Sequence, residues 1–170
     1  MLELSVTIAV IAILAVFTLA GVSKFRARAQ RVRCAANLRS LSVATNLYIE
    51  QNGTWPQIRP DKDADPALFA QAWIDALAPF GATRETWICP TIQNLLNNPD
   101  YSTAQTARID YMATPFDDKP TSPREWASQP WFIERGNVHG SGNLMIFTDG
   151  SVRDLKSVVQ RASRQQAGSR

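Results

Sequence analysis

From Leu2 to Ser23 the chain is a single apolar run whose one charged residue is Glu3, and no further charge appears until Lys24. About 20 uncharged residues wound as a helix span roughly 30 Å, the hydrocarbon thickness of a bilayer. The pattern then changes without a break. Lys24 to Gln51 holds neither proline nor glycine and is rich in helix formers. Cys34, Leu38, Leu41, Thr45 and Tyr48 recur at three/four spacing, and Ala44 and Leu47 widen the stripe, while Arg33, Asn37, Ser40 and Asn46 fall largely off it. Asn52-Gly53 supplies a left-handed stop and Pro56 forbids continuation. One helix from about Leu2 to Gln51 is therefore expected, roughly 75 Å long at 1.5 Å per residue. A globule built from the rest of the chain cannot bury a rod of that length, so its first half must project and find other partners.

Beyond the helix the pattern is that of a small mixed domain. Asp65-Pro66 reads as N-cap and first helical position, and Leu68, Phe69, Ala72, Trp73, Ala76 and Leu77 form the apolar face of a short helix ending before Pro79. Trp87 to Pro90 reads as extended, and 91–107 as irregular with at most one helical turn. Ile109–Ala113 and Trp131–Ile133 are strand candidates on either side of a loop bearing Pro115, Pro120, Pro123 and Pro130. Asn143–Thr148, Asp149-Gly150 and Ser151–Leu155 make the strongest hairpin signal, Asp-Gly offering the positive φ angles of a tight primed turn. Residues 156–170 read as a short helix fraying into a basic tail. The expected divisions are 1–23 (apolar half-helix), 24–52 (amphipathic half-helix), 53–155 (α+β head) and 156–170 (tail).

With 170 residues the chain holds one domain and an appendage. A net charge of +3 is concentrated in two clusters, Lys24, Arg26, Arg28, Arg31 and Arg33, and Arg153, Lys156, Arg161, Arg164 and Arg170. The first fits a solvated helix face beside a membrane, with lipid headgroups or acidic patches on a neighbouring subunit as alternatives. Nucleic acid has little to recommend it, because no aromatic-rich basic sheet or recognition helix accompanies the charge. A retained segment is expected rather than a secretory signal, since Leu-Ala-Gly-Val-Ser is only faintly like a cleavage site and the run continues directly into a helical pattern. By the positive-inside rule the Lys24–Arg33 cluster alone would place the head in the cytoplasm. The cysteines argue for the other side. Cys34 and Cys89, the only two, fit one disulfide stapling the long helix to the following loop in an oxidising compartment, or two buried free thiols.

No nucleophile–base pair, metal cluster or phosphate loop is visible, which argues against an enzyme. With one histidine, His139, a structural metal is not expected and no cofactor is implied. His139 is expected to brace the hairpin, on Asp149 or nearby backbone, and Asp149 to serve the turn. Asp117-Asp118, with Asp110 and Asp100, is a weak calcium candidate, since the spacing lacks calcium-loop order. Most of the five tryptophans should be core, with Trp126 the best candidate for an exposed interface. Asn52-Gly53-Thr54 has sequon form. Glu3 reads either as an acid favoured by the helix dipole or as a buried carboxylate awaiting a positive partner.

Leu2-Glu3-Leu4-Ser5-Val6-Thr7-Ile8-Ala9-Val10-Ile11-Ala12-Ile13-Leu14-Ala15 resembles the start of a mature subunit of the type IV pilin and type II secretion pseudopilin group. His139, nine residues, then Asp149-Gly150 resembles the motif of a prepilin-like subgroup, as do Cys34–Leu41, Tyr48–Pro56 and Trp87–Pro90. The glutamate is third here and fifth in the group. The resemblance accordingly implies two further residues, Phe-Thr, and a short basic leader ahead of Met1, with processing by a prepilin peptidase and methylation of the new amine. It implies a pilin-like α+β fold, the long helix packed by its C-terminal half on a small antiparallel sheet. It also implies a subunit that waits in the bacterial inner membrane with its head outside. From there it polymerises with itself on an assembly platform into an extracellular or periplasmic filament. Glu3 would pair with the terminal ammonium of a neighbour, and Gly21 would loosen the helix on assembly. The alternatives are a minor pseudopilin of a secretion or uptake machine, and an anchored binding domain that never polymerises.

Overall fold

The computed structural model describes residues 2–59, 65–97, 100–119, 121–125 and 128–168; within 2–23 many side chains, Glu3 and Gly21 among them, lie outside the description, as do Trp126 and Arg170. The fold is mixed α+β. Helix α1 (Leu2–Asn52) runs 51 residues, about 75 Å. It is followed by α2 (Pro66–Leu77), α3 (Pro90–Leu96), strand β1 (Tyr111–Ala113), a single turn α4 (Ser122–Glu125), strands β2 (Pro130–Glu134), β3 (Leu144–Phe147) and β4 (Val152–Asp154), and α5 (Leu155–Gly168). The strands form an antiparallel meander in the order β1-β2-β3-β4.

Local chemistry explains most boundaries. Gly53, at φ +76°, ends α1 and donates its N–H to Ile49 O at 2.8 Å. The Asp65 carboxylate caps α2 through the Ala67 N–H (2.9 Å), with proline at the first position. The hairpin turn is not the primed two-residue turn expected. Phe147 pairs with Ser151 (N–H to O 3.1 Å) around Thr148, Asp149 and Gly150, and only Gly150 takes a positive φ, +73°. A three-residue loop with glycine in the left-handed position leaves Asp149 unstrained and free to accept from Ser151 N–H (2.9 Å). Pro90, expected in an extended piece, starts α3, which runs through 91–96 of the stretch expected to be irregular with one helical turn.

The C-terminal half of α1 packs on the sheet and on α2 and α3. Its buried face is Cys34, Leu38, Leu41, Ser42, Ala44, Thr45 and Ile49, close to the expected stripe. Leu47, expected to widen it, is 44% exposed, and Tyr48 is half-buried, its ring edge-on to Phe80 at 5.5 Å. On α2 the face is turned from expectation: Ala67, Ala70, Trp73, Ile74 and Leu77 are buried, and Leu68 is 61% exposed. Trp73 decides this. It packs against Trp55 and Trp87 with ring centroids at 6.3 and 6.0 Å, and the alanines on its side let the helix come close.

The core is aromatic. Trp55, Trp87, Trp131, Tyr111 and Phe132 are all below 2% exposed. Consecutive Trp131 and Phe132 are both buried because the β2–β3 register shifts between Pro130 and Phe132, and Trp131 turns its indole N–H to Pro123 O (2.7 Å).

The described side chains in the first half of α1 take no part in this core. Its described tertiary hydrogen bonds begin at Gln30, which accepts from Thr91 Oγ1 (3.3 Å), and Arg31, which reaches Asp154 at 2.6 Å. Val6, Ile8, Val10, Ile11, Ile13, Val22 and Phe25 are 45–72% exposed. Val6 and Ile8, two residues apart, lie on nearly opposite sides of the helix. Among the described residues no helix is long and apolar enough to cross a membrane.

Candidate functional site

The most chemically distinctive place in the head is a buried polar cluster where α1, the segment before α3, and β2 meet. Cys34 of α1 and Cys89 form a disulfide, with Cα atoms 5.3 Å apart and a sequence separation of 55. Of the two expectations for these cysteines, the disulfide holds. Beside it lie Glu134 at the end of β2 and His139 in the loop that follows. His139 Nε2 is 3.2 Å from Glu134 Oε1 and 3.9 Å from Cys89 Sγ. Their side chains are 4% and 0% exposed. The ligand atoms of Cys34, Cys89, Glu134 and His139 all lie within 4.8 Å of one another.

Each member is placed by its element. Asn37, one turn beyond Cys34 on α1, donates to Ile88 O (2.9 Å) and holds the 88–89 segment against the helix. The Cys89 N–H is taken by the Asp110 carboxylate (2.9 Å), which also pairs with Arg108 Nε at 2.9 Å. Glu134 shares the inward face of β2 with Phe132, two residues earlier. Its Oε2 accepts from Leu144 N–H (3.4 Å), and its backbone oxygen accepts from Asn143 Nδ2 (2.8 Å).

The electrostatics follow from burial. Desolvation pushes the Glu134 carboxyl up to about 7; the Leu144 N–H and Arg31 oppose this and the Asp110 carboxylate reinforces it. Burial, and then Arg31, hold the His139 imidazole below its ordinary value. At Asp110 burial outweighs the Cys89 N–H and Arg108 and raises the carboxyl. Burial also pushes the Tyr111 phenol up. Burial therefore favours the protonated form of the Glu134 carboxyl and the neutral form of the His139 imidazole.

A stability prediction follows. The folded state holds the Glu134 proton at pH values where the unfolded chain has lost it. The resulting stabilisation is full below the ordinary carboxyl value and lost as pH rises through about 7. His139 acts with the opposite sign, since acidification through its ordinary value costs stability. Glu134 is faced by His139, Asp110 and Arg31. A Glu134→Gln variant keeps the shape without the charge. By urea denaturation it should match the parent near pH ~4 and exceed it by about 1–3 kcal/mol near pH ~8. A variant less stable than the parent at the higher pH contradicts this.

The other expected site residues are dispersed. His139 faces Glu134 rather than Asp149, because the loop after β2 carries it to the Cys89 side of the sheet. Asp149 is exposed at the hairpin tip, bound to Ser151 N–H and to Arg153 (2.9 Å), with Gly150 completing the turn. The calcium candidates do not converge. Asp110 is buried on Arg108, Asp100 accepts from Ser102, and Asp117 accepts from Lys119 N–H, with Asp118 exposed beside it. Glu3 and Gly21 belong to α1, with side chains outside the described set. Glu134 is not singled out by the sequence, and Asn37 reads there only as a position off the buried stripe. For Glu134 a signal exists: alternation from Phe132 carries an acid onto a buried strand face.

No protein-family model, curated protein or solved structure matches this chain.

Proposed function

We propose that this chain is a structural subunit of a type IV pilus-like filament. It is held in the bacterial inner membrane with its head outside, and polymerises with itself through the first half of α1. The observation that carries this reading is the mismatch between helix and head. Half of α1 packs on the sheet, and the other half presents exposed valine, isoleucine and phenylalanine that no described residue of the head covers. A helix apolar on several faces is stable only inside lipid or among other helices. Ala9, Ala12, Ala15 and Gly21, interspersed among larger residues, suit close helix–helix approach. The small antiparallel sheet packed on the other half of α1 suits a pilin-like head, and the Cys34–Cys89 disulfide suits an oxidising space outside the membrane.

In this reading Glu3 is unpaired in the membrane and paired with a neighbour's terminal ammonium in the filament. A lone carboxylate at mid-membrane costs on the order of 2.5–3.5 kcal/mol, less near an end. The difference drives extraction and sets axial register. Prepilin peptidase and an assembly platform are the implied partners, and nucleic acid is not required. A minor pseudopilin that forms a short secretion piston uses the same chemistry.

Glu3→Ala distinguishes polymer from anchor. In the producing cell the variant is expected to stay in the membrane fraction, with the sheared surface fraction depleted at least tenfold. Equal shearing of variant and parent overturns the role of Glu3. An anchored binding domain has one observation of its own, a cavity of about 610 Å³ lined by Trp55, Ile58, Phe69, Trp73, Met112 and Phe116. That volume is in the range of small-molecule sites. An anchor of this kind retains membrane placement and never shears, with or without Glu3.

A further inference from the structure

We infer that the reduced chain holds a zinc(II) site made by Cys34, Cys89, His139 and Glu134, so that this cluster exists in two exclusive forms, a disulfide or a metal centre. Two thiolates, one imidazole and one carboxylate are a standard zinc donor set in chemical type. They converge from α1, the segment before α3, the end of β2 and the loop after it, with every ligand atom within 4.8 Å of the others. With zinc–ligand bonds of about 2.0–2.3 Å, tetrahedral edges are about 3.3–3.8 Å. Nε2 to Oε1 at 3.2 Å and Sγ of Cys89 to Nε2 at 3.9 Å already approximate two of those edges. Cutting the sulfur–sulfur bond lets the two sulfurs separate, and side-chain rotation then brings the wider pairs, within 4.8 Å, to the same edge length. Among the described residues this is the one group of three or more metal-ligating side chains that converges.

The surroundings suit an ion. Glu134 keeps its second oxygen on Leu144 N–H, which orients the first toward His139. A pocket of about 210 Å³, lined by Arg28, Arg31, Thr91, Val138 and His139, opens to the imidazole and offers an entry path. An acid and an imidazole buried beside two sulfurs are costly in a core this apolar, and a metal satisfies them together.

The chemistry balances. A dithiol reductant gives two electrons and two protons to the Cys34–Cys89 bond. The S–S bond breaks, two thiols form, and the reductant leaves as its own disulfide. Zinc(II) then binds the Cys34 and Cys89 thiolates, the Glu134 carboxylate and the neutral His139 imidazole, and the protons those groups carried leave to solvent. The product carries a single net negative charge, which Arg31, electrostatically coupled to both Glu134 and His139, offsets. A small-molecule disulfide takes two electrons from the thiolates and leaves as two thiols, which restores the Cys34–Cys89 bond and releases the ion. This inference is independent of the filament reading.

The test uses the full chain, oxidised or reduced with a non-chelating phosphine, titrated with zinc chloride and with cobalt(II) as a coloured substitute. The reduced chain is expected to take up one zinc. With cobalt it should develop the thiolate charge-transfer and intense visible bands of a tetrahedral centre, and zinc should raise its melting temperature. The oxidised chain should show none of these. Glu134→Gln and His139→Gln should each weaken zinc binding at least tenfold in the reduced state. Their oxidised forms, by circular dichroism, check folding. Should a variant not fold, the parent alone decides, through the contrast between redox states and the donor set reported by cobalt. Absence of stoichiometric uptake by the reduced parent, equal uptake by the oxidised parent, or unchanged affinity in both folded variants overturns the site.

Discussion

Replacing Trp55 with alanine should lower the stability of the head by about 3–5 kcal/mol, the range for deleting a large buried aromatic. In a chain of this size that is a drop of about 10 °C or more in melting temperature. Trp55 is 1% exposed and stands just past the end of α1, where the chain turns back over the sheet. Its ring meets Phe116, Trp131, Phe132 and Trp73 with centroids at 4.7, 5.4, 5.8 and 6.3 Å. These partners come from α2, β2 and the loop after β1. The cavity left by alanine would open at the junction of all three, and rigid neighbouring rings cannot collapse into it. Thermal unfolding by near-ultraviolet circular dichroism checks this. A shift smaller than about 4 °C means the ring cluster contributes far less than its burial implies.

The second large effect concerns the disulfide. The double variant Cys34→Ala/Cys89→Ala should lose about 4 kcal/mol, the chain-entropy value for a closed loop of this length. Alanine avoids burying hydroxyl groups at two positions that are both fully buried. The loss should appear first as loosening of α1 from the head. The bond ties the helix to the segment before α3, and after its removal the described polar ties that remain there include Asn37 to Ile88 O, Thr91 to Gln30 and Arg31 to Asp154. Urea denaturation gives the total, and hydrogen exchange along 34–52 gives the location. Parent-like midpoint and protection contradict a stapling role.

Elements with their own local chemistry were legible in the sequence. The long helix shows as an unbroken run of helix formers ended by Gly53. The start of α2 shows in Asp65-Pro66, and β3–β4 in an apolar run closed by Asp149-Gly150. Features decided by tertiary contact were not. Two apolar stripes compete on α2, and only the neighbours of Trp73 select the one through Ala67 and Ala70. Asn37 reads as a surface residue until Ile88 arrives to accept its hydrogen bond. The cluster of Cys34, Cys89, Glu134 and His139 has no spacing signature, because 100 residues of folding bring its members together. A search for three metal ligands close in sequence cannot find it. His139, expected to brace the hairpin on Asp149 or nearby backbone, faces Glu134 instead for a related reason: regular spacing along a chain does not place two groups on the same face of a sheet.

The account rests on polymerisation through α1, and electron microscopy of the chain purified from the membrane of the producing cell tests that most directly. Thin, uniform fibres from the parent chain, and none from Glu3→Ala, are the predicted result. A monodisperse single subunit across the concentration range, alike for parent and variant, would contradict it.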